Sequence, residues 1–234
     1  MSQSSMPIDP ALINDRVRLP TFRRRRFMLL SLAAAAAGAV QPAWAQRVRV
    51  PEKVLAIARE MYSAVPAEAF PVPAVDIRQL HPEYYRRLVD HDTHEQAGTV
   101  VVETHNRFLY LVLPEGKAIR YGVGIGRQGF TWSGRGTIQF KREWPTWTPP
   151  AEMIKRQPEL EEHRNGMAPG LDNPLGARAL YIFQNGKDTL YRLHGSGEVA
   201  SIGQAVSSGC VRLLNQDVID LYNRVPVPSP IVVA

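Results

Sequence analysis

From Thr99 to the end, the chain is written in short runs rich in β-branched and aromatic residues, and this texture constrains its fold more than any other feature. The runs are Thr99–Glu103, Phe108–Leu113, Lys117–Val123, Thr137–Lys141, Ala177–Phe183 and Thr189–Leu193, with Ile231-Val232-Val233 at the end. Pro114-Glu115-Gly116 supplies a turn between two of them, and Asn185-Gly186, a pair that tolerates positive φ at both positions, supplies a hairpin. The expectation is an antiparallel, mainly β domain with short helices. One helix is expected from Pro150 to Arg156. Another is expected from Gln216 to Arg224, with Asn215 as N-cap and Val218, Leu221, Tyr222 and Val225 forming an apolar face that can dock on a sheet.

Ahead of this domain the pattern is helical. Val54, Leu55, Ala58, Met61, Tyr62 and Val65 recur at helical spacing, Pro51 suits a first turn, and Pro66, Pro71 and Pro73 stop the helix. Tyr84, Tyr85 and Leu88 suggest a second short helix over Pro82 to Val89. Residues 46–97 therefore read as a helical N-terminal extension to a domain spanning residues 98–234.

Residues 1–45 read as a signal rather than as part of the fold. Arg24-Arg25-Arg26-Phe27 resembles the twin-arginine export pattern and opens onto a 14-residue apolar run ending at Val40. A bilayer-spanning helix needs about 20 residues, so no permanent membrane span is expected. Ala43-Trp44-Ala45 supplies a small-x-small cleavage site, and the destination is the periplasm or cell envelope. This segment also explains the charge. The chain has 28 Lys and Arg against 22 Asp and Glu, but six of the arginines lie in residues 1–45, leaving a near-neutral body that argues against nucleic acid as a partner.

The single cysteine, Cys210, excludes an intramolecular disulfide and any multi-cysteine metal site. In an oxidising compartment a lone thiol is open to oxidation, which suggests that its chemistry is used; a buried, inert cysteine is the default alternative, and the surrounding sequence decides between them. Gly124-Ile125-Gly126-Arg127-Gln128-Gly129 matches a dinucleotide fingerprint, but Phe130-Thr131-Trp132-Ser133-Gly134 cannot continue a helix after it, so a tight glycine loop is expected.

The segment that carries chemistry is His194-Gly195-Ser196-Gly197 followed by Ser207-Ser208-Gly209-Cys210-Val211-Arg212-Leu213. An imidazole that takes a thiol proton and a thiolate that attacks a carbonyl are the parts of a cysteine acyltransferase. Gly209 would let a carbonyl approach closely, and the N–H groups of Gly209 and Cys210 are candidate oxyanion donors.

This motif, continued by Asn215-Gln216-Asp217-Val218, resembles the L,D-transpeptidase catalytic domain, or YkuD domain, of bacterial cell-wall enzymes. The likeness runs from about Gly98 to Ala234 through Arg107–Val112, Ile119–Gly124, Glu143–Pro150 and Asn173–Tyr181. It implies a curled, β-sandwich-like catalytic domain that needs no cofactor or metal. Cys210 would be the nucleophile, His194 the proton acceptor and donor, and Gly195 the carbonyl that orients the imidazole. Arg212 would place substrate or brace the loop. Many family members carry His where Ser208 stands, so a hydroxyl or water would take that role. The implied partners are peptidoglycan stem peptides, and the implied product is a 3→3 cross-link. Water or an outer-membrane protein amine could accept the same acyl group, and acylation by a carbapenem is a further implication.

Other readings remain open. The domain could be an inactive wall-binding module or a thiol redox sensor. Trp132, Trp144 and Trp147 could line a sugar or peptide groove or simply pack. His91, His94 and Glu95 resemble metal ligands by type alone, and solvated side chains suit their polar setting.

Overall fold

The computed structural model describes residues 50–126, 132–207 and 209–234. The signal reading of residues 1–45 lies outside the described residues, as do Ser208 and part of the Gly124–Gly129 loop. In chain order the described elements are α1 (Glu52–Met61), β1 (Arg87–Asp90), β2 (Val100–Glu103), β3 (Phe108–Leu113), β4 (Lys117–Gly122), β5 (Ile125–Gly126) and β6 (Gly134–Glu143), then α2 (Ala151–Arg156), β7 (Arg178–Gln184), β8 (Lys187–Ser196), β9 (Ala205–Ser207), β10 (Val211–Leu214), α3 (Asn215–Arg224) and β11 (Ser229–Val233).

Nine strands form one sheet in the order β1-β4-β3-β2-β11-β6-β7-β8-β10, and β5 pairs with β9 beside it. One face alternates Val100, Val102, Leu109, Leu111, Ile119 and Tyr121 into a core that also takes Leu193, Val211 and Leu213 from the far end of the sheet. Strands at opposite ends share this core because the sheet curls on itself. Val218, Leu221 and Val225 seal it from α3, the face expected from their spacing.

The antiparallel expectation holds for most pairs and fails for three. β11 runs parallel to β2, β10 parallel to β8, and β5 parallel to β9. Parallel neighbours need a crossover connection, and the chain supplies one in the 197–210 loop between β8 and β10.

The helix expected over Pro82 to Val89 is a single 3₁₀ turn, Pro82–Tyr84. Arg87–Asp90 extends instead as the edge strand of the sheet, with Leu88 opposite Ile119 and Ala118 opposite Val89. The free edge of β4 offers unpaired N–H and C=O groups, and pairing them outweighs local helical preference. Asn215 is not a cap either. It is the first residue of α3, and its Oδ1 accepts the Ala177 N–H at 3.0 Å instead of a helix amide.

A second apolar cluster lies outside the main core. Ala58, Tyr62, Ile77, Leu80 and Tyr85 from the N-terminal segment enclose Ile202 and Leu214.

Candidate active site

The β8–β10 pairing builds the site. Val211 lies opposite Leu193 and Arg212 opposite His194. Leu193, Val211 and Leu213 are fully buried in the core, so strand alternation turns His194 and Arg212 to the other face. Cys210 precedes β10 by one residue and receives the Arg192 backbone N–H from β8, so the β8–β10 pairing brings the Cys210 segment beside the strand that carries His194.

His194 is 4% exposed, and its Nδ1 lies 2.9 Å from the Gly195 carbonyl oxygen. A carbonyl can only accept, so Nδ1 carries the hydrogen and Nε2 keeps its lone pair. Burial pulls the His194 pKa down to about 4; the Gly195 hydrogen bond opposes the shift and the Arg212 charge adds to it. At neutral pH the imidazole is therefore uncharged and able to take a proton.

Asn215 packs against Gly195, the residue whose carbonyl holds the imidazole. A Cβ on Gly195 would lie 2.3 Å from Asn215 Oδ1 and 3.0 Å from Val218 Cγ1, so only glycine fits between strand and helix. Asn215 is a supporting residue that the capping pattern did not reveal.

Cys210 is half-buried, with Sγ 4.0 Å from the Leu190 carbonyl. Burial pushes its pKa up, while the Arg192 backbone N–H and the charges of Arg192 and Arg212 draw it back. At neutral pH the thiol and the imidazole are thus both uncharged. Gly209 has φ 136°, a conformation suited to glycine.

A bulge in β8 shapes the wall beside the thiol. Phe183 pairs with Asp188 and Tyr181 with Arg192, leaving three residues of β8 against one of β7. Asp188 Oδ1 accepts the Leu190 N–H at 2.8 Å, and Thr189 Oγ1 donates to the Ile182 carbonyl at 2.7 Å. Leu190 takes φ 65° and stands 68% exposed. A hairpin was legible at Asn185-Gly186, but nothing in the sequence marked this bulge.

Arg212 Nη1 pairs with Glu198 Oε2 at 2.8 Å, and its backbone exchanges both hydrogen bonds with Gly124 at 2.8 and 2.9 Å. Gly124 and Gly126 belong to sheet pairing around β5 rather than to the start of a helix. Ser208 lies outside the described residues.

The other singled-out residues stand apart. Trp144 is buried, donates to Glu68 at 2.8 Å and packs on Phe70; Trp132 donates to Gln184 at 3.1 Å. Trp147 bridges Met167 by backbone hydrogen bonds. His91 stacks on Tyr110, and Glu95 pairs with Arg135. Among the described residues no cluster of three His, Cys, Asp or Glu could hold a metal, and no helix is long and apolar enough to cross a membrane.

Known proteins resemble this chain in sequence. "Probable L,D-transpeptidase YbiS" of Escherichia coli K12 is 36% identical over 148 residues, covering 61% of this chain and 45% of its own length. "Probable L,D-transpeptidase ErfK/SrfK" of the same organism is 34% identical over 134 residues, covering 55% of this chain and 41% of its own length. The chain thus spans less than half the length of these curated relatives. A crystal structure from Brucella melitensis, named a probable carnitine operon oxidoreductase, is 44% identical with a TM-score of 0.47, covering 65% of this chain and 94% of its own. The model of the YkuD family, described as the L,D-transpeptidase catalytic domain, matches residues 97–233, so the chain belongs to that family.

Proposed function

We propose that this chain is an exported peptidoglycan L,D-transpeptidase that works through a thioester on Cys210. The observation that carries the proposal is the neutral His194, its Nδ1 hydrogen committed to the Gly195 carbonyl, on the strand paired with the one that Cys210 directly precedes. In this reading residues 1–45 are a twin-arginine-type signal directing the protein to the periplasm, residues 46–97 an N-terminal extension, and residues 98–234 the catalytic domain.

The reaction needs two acyl transfers. His194 Nε2 takes the Cys210 proton, and the thiolate attacks the carbonyl of the L-centre in the third residue of a donor tetrapeptide stem. Charge develops on the carbonyl oxygen, where the N–H groups of Gly209 and Cys210 stabilise it. His194 then returns the proton to the leaving D-alanine amine as the C–N bond breaks and the thioester forms. The side-chain amine at a D-centre of a second stem attacks the thioester, gives its proton to His194, and leaves a 3→3 cross-link with the thiol regenerated. Water would make the same intermediate a carboxypeptidase, and an outer-membrane protein amine would make it an anchoring enzyme. Arg212, tied to Glu198, places substrate or braces the loop beside the thiol, and Ser208 contacts substrate.

The test is intact-mass analysis with a tetrapeptide donor and with a carbapenem. The parent should gain one acyl adduct on Cys210, and Cys210→Ser should lose it while keeping its thermal melt, because the hydroxyl has a much higher pKa. Full cross-linking by Cys210→Ser would remove the nucleophile assignment.

A further inference from the structure

Two glycines inside the family domain receive a side chain from outside it. A Cβ on Gly122 would lie 2.5 Å from Tyr84 Cβ, and a Cβ on Gly203 would lie 2.3 Å from Tyr84 Cε2. Tyr84 closes the Pro82–Tyr84 turn, ahead of the matched residues 97–233. Its backbone rests on the end of β4, its ring tip lies on Gly203, and Phe108 flanks the ring at 5.5 Å.

Gly203 belongs to the connection between His194 and Cys210. The Gly203 N–H donates to the Val123 carbonyl at 3.0 Å, and the Ile125 N–H donates to the Gln204 carbonyl at 2.9 Å. The chain then enters β9 and runs directly to Gly209 and Cys210. The adjacent Ile202 is 5% exposed, buried in the cluster that Tyr62, Ile77, Leu80 and Tyr85 supply. At the start of the same connection Glu198 holds Arg212. A loop that carries one reacting group at its end thus has its principal apolar anchor in a segment that is not part of the catalytic domain.

We infer that residues 52–90 are a positioning element for the nucleophile loop. Tyr84, pressed on Gly203, and the cluster around Ile202 hold residues 198–205, and so set where Gly209 and Cys210 lie relative to His194. The consequence for catalysis rests on the transpeptidase reading; the restraint on the loop does not. Tyr84 touches no reacting group, so it acts as a positioning residue. Acyl transfer is sensitive to misplacement, with about 1 Å enough to lower a rate 100-fold.

The test uses Tyr84→Ala and Tyr84→Phe in the full chain, with amide hydrogen exchange, iodoacetamide alkylation and carbapenem acylation as readouts. In Tyr84→Ala, exchange at Gly203 and Ile125 should rise about tenfold or more while Leu180 and Leu193 in the main core keep the parent rates, a pattern that global destabilisation does not give. The alkylation pH profile of Cys210 should move, and acylation should slow about tenfold or more. Tyr84→Phe keeps the ring and should restore all three to within about twofold of the parent. If Tyr84→Ala does not fold, Tyr84→Leu, which keeps volume but not the flat ring, should show the same local pattern. Exchange at Gly203 and Ile125 that rises only in step with Leu180 and Leu193 overturns the inference, as does acylation unchanged in a folded Ala or Leu variant. A parent that no carbapenem or donor peptide acylates would sink the transpeptidase reading, and the exchange and alkylation measurements would still decide the restraint on the loop.

Discussion

Two buried polar clusters meet at α3, and they treat charge in opposite ways. In the site, His194 and Cys210 face backbone groups and are both held neutral by burial. In the other cluster, where the N-terminal segment docks, Tyr62 donates to Asp217 at 3.1 Å and accepts the Arg86 N–H at 2.9 Å. Arg86 Nη1 stands 3.5 Å from Asp217 and 3.3 Å from Asp220, and the Arg224 fork reaches both oxygens of Asp220 at 2.9 Å. Asp220 keeps a depressed pKa because Arg224 and Arg86 outweigh its burial. Asp217 has the shared Arg86, the Tyr62 hydroxyl on one oxygen and an Oδ1 with no hydrogen bond, and burial, helped by the neighbouring Asp220 charge, pushes it up to about 7. Partner supply, not depth alone, decides which buried group stays charged. In the site the outcome is an uncharged imidazole at neutral pH; in the dock it is a carboxyl that titrates near neutrality.

The largest expected effect tests whether these two regions are one cooperative unit. Leu221 is fully buried where α3, the helix that also carries Asp217 and Asp220 of the dock, packs on the main core, and Leu221→Ala should lower stability by about 2–5 kcal/mol. Chemical denaturation followed by Trp fluorescence and by Cys210 alkylation should give coincident curves. Separate midpoints would show that the dock and the site unfold as two units.

Acid titration separates them next. The folded pKa of His194, about 4, lies below its ordinary 6.5, so the unfolded chain binds more protons within that window. Stability is full above about pH 6.5, falls as the pH drops towards 4, and levels off below it, a loss of about 3 kcal/mol. His194→Gln should lack that loss, shrinking the stability difference between pH 7 and pH 4 relative to the parent. Asp217 works in reverse. Its pKa is raised from 3.8 to about 7, so its contribution is present at low pH and is lost as the pH rises through that interval. Asp217→Asn should gain on the parent as the pH rises from 4 to 8. The gain should be the smaller effect, because Arg86 loses an ionic neighbour in the variant. Equal slopes in Asp217→Asn and the parent would mean that Asp217 is ionised in the fold.

The two clusters also differ in how visible they are in the sequence. The site occupies residues 194–213, so its glycines, histidine and cysteine stand as one readable string, and the long strands and the buried face of α3 were legible from their spacing. The dock joins Tyr62 to Asp217 across 155 positions and Arg86 to Gln216 across 130, and no local pattern announces such pairs. β1 escaped because Tyr84, Tyr85 and Leu88 mimic a helical face, while the edge of β4 that captures Arg87–Asp90 is distant in sequence. β10 escaped because Val211-Arg212-Leu213 reads as motif, and its strand character depends on β8 beside it. Asn215 looked like a cap because its residue type suits one, and only the Ala177 N–H across the fold draws its side chain elsewhere.

The smallest expected effect lies at the Arg212–Glu198 ion pair, which joins the loop anchored by the N-terminal segment to the strand that follows the thiol. Glu198 is 61% exposed at its side chain and Arg212 23%, so Glu198→Gln should cost only about 0–1 kcal/mol. Its electrostatic consequence has a definite sign. The Arg212 charge already lowers the pKa of both Cys210 and His194, and Glu198 is the carboxylate that offsets it. Removing that carboxylate should shift the alkylation pH profile of Cys210 slightly to lower pH, since a less compensated cation favours the thiolate. If the pair also braces the loop, amide exchange at Gly203 should rise in the same variant, because the connection would lose its tie at Glu198 and keep only its anchor at Ile202. A shifted profile with unchanged exchange would confine the influence of Arg212 to its charge. Faster exchange with an unshifted profile would make Arg212 a mechanical strut whose charge the solvent screens.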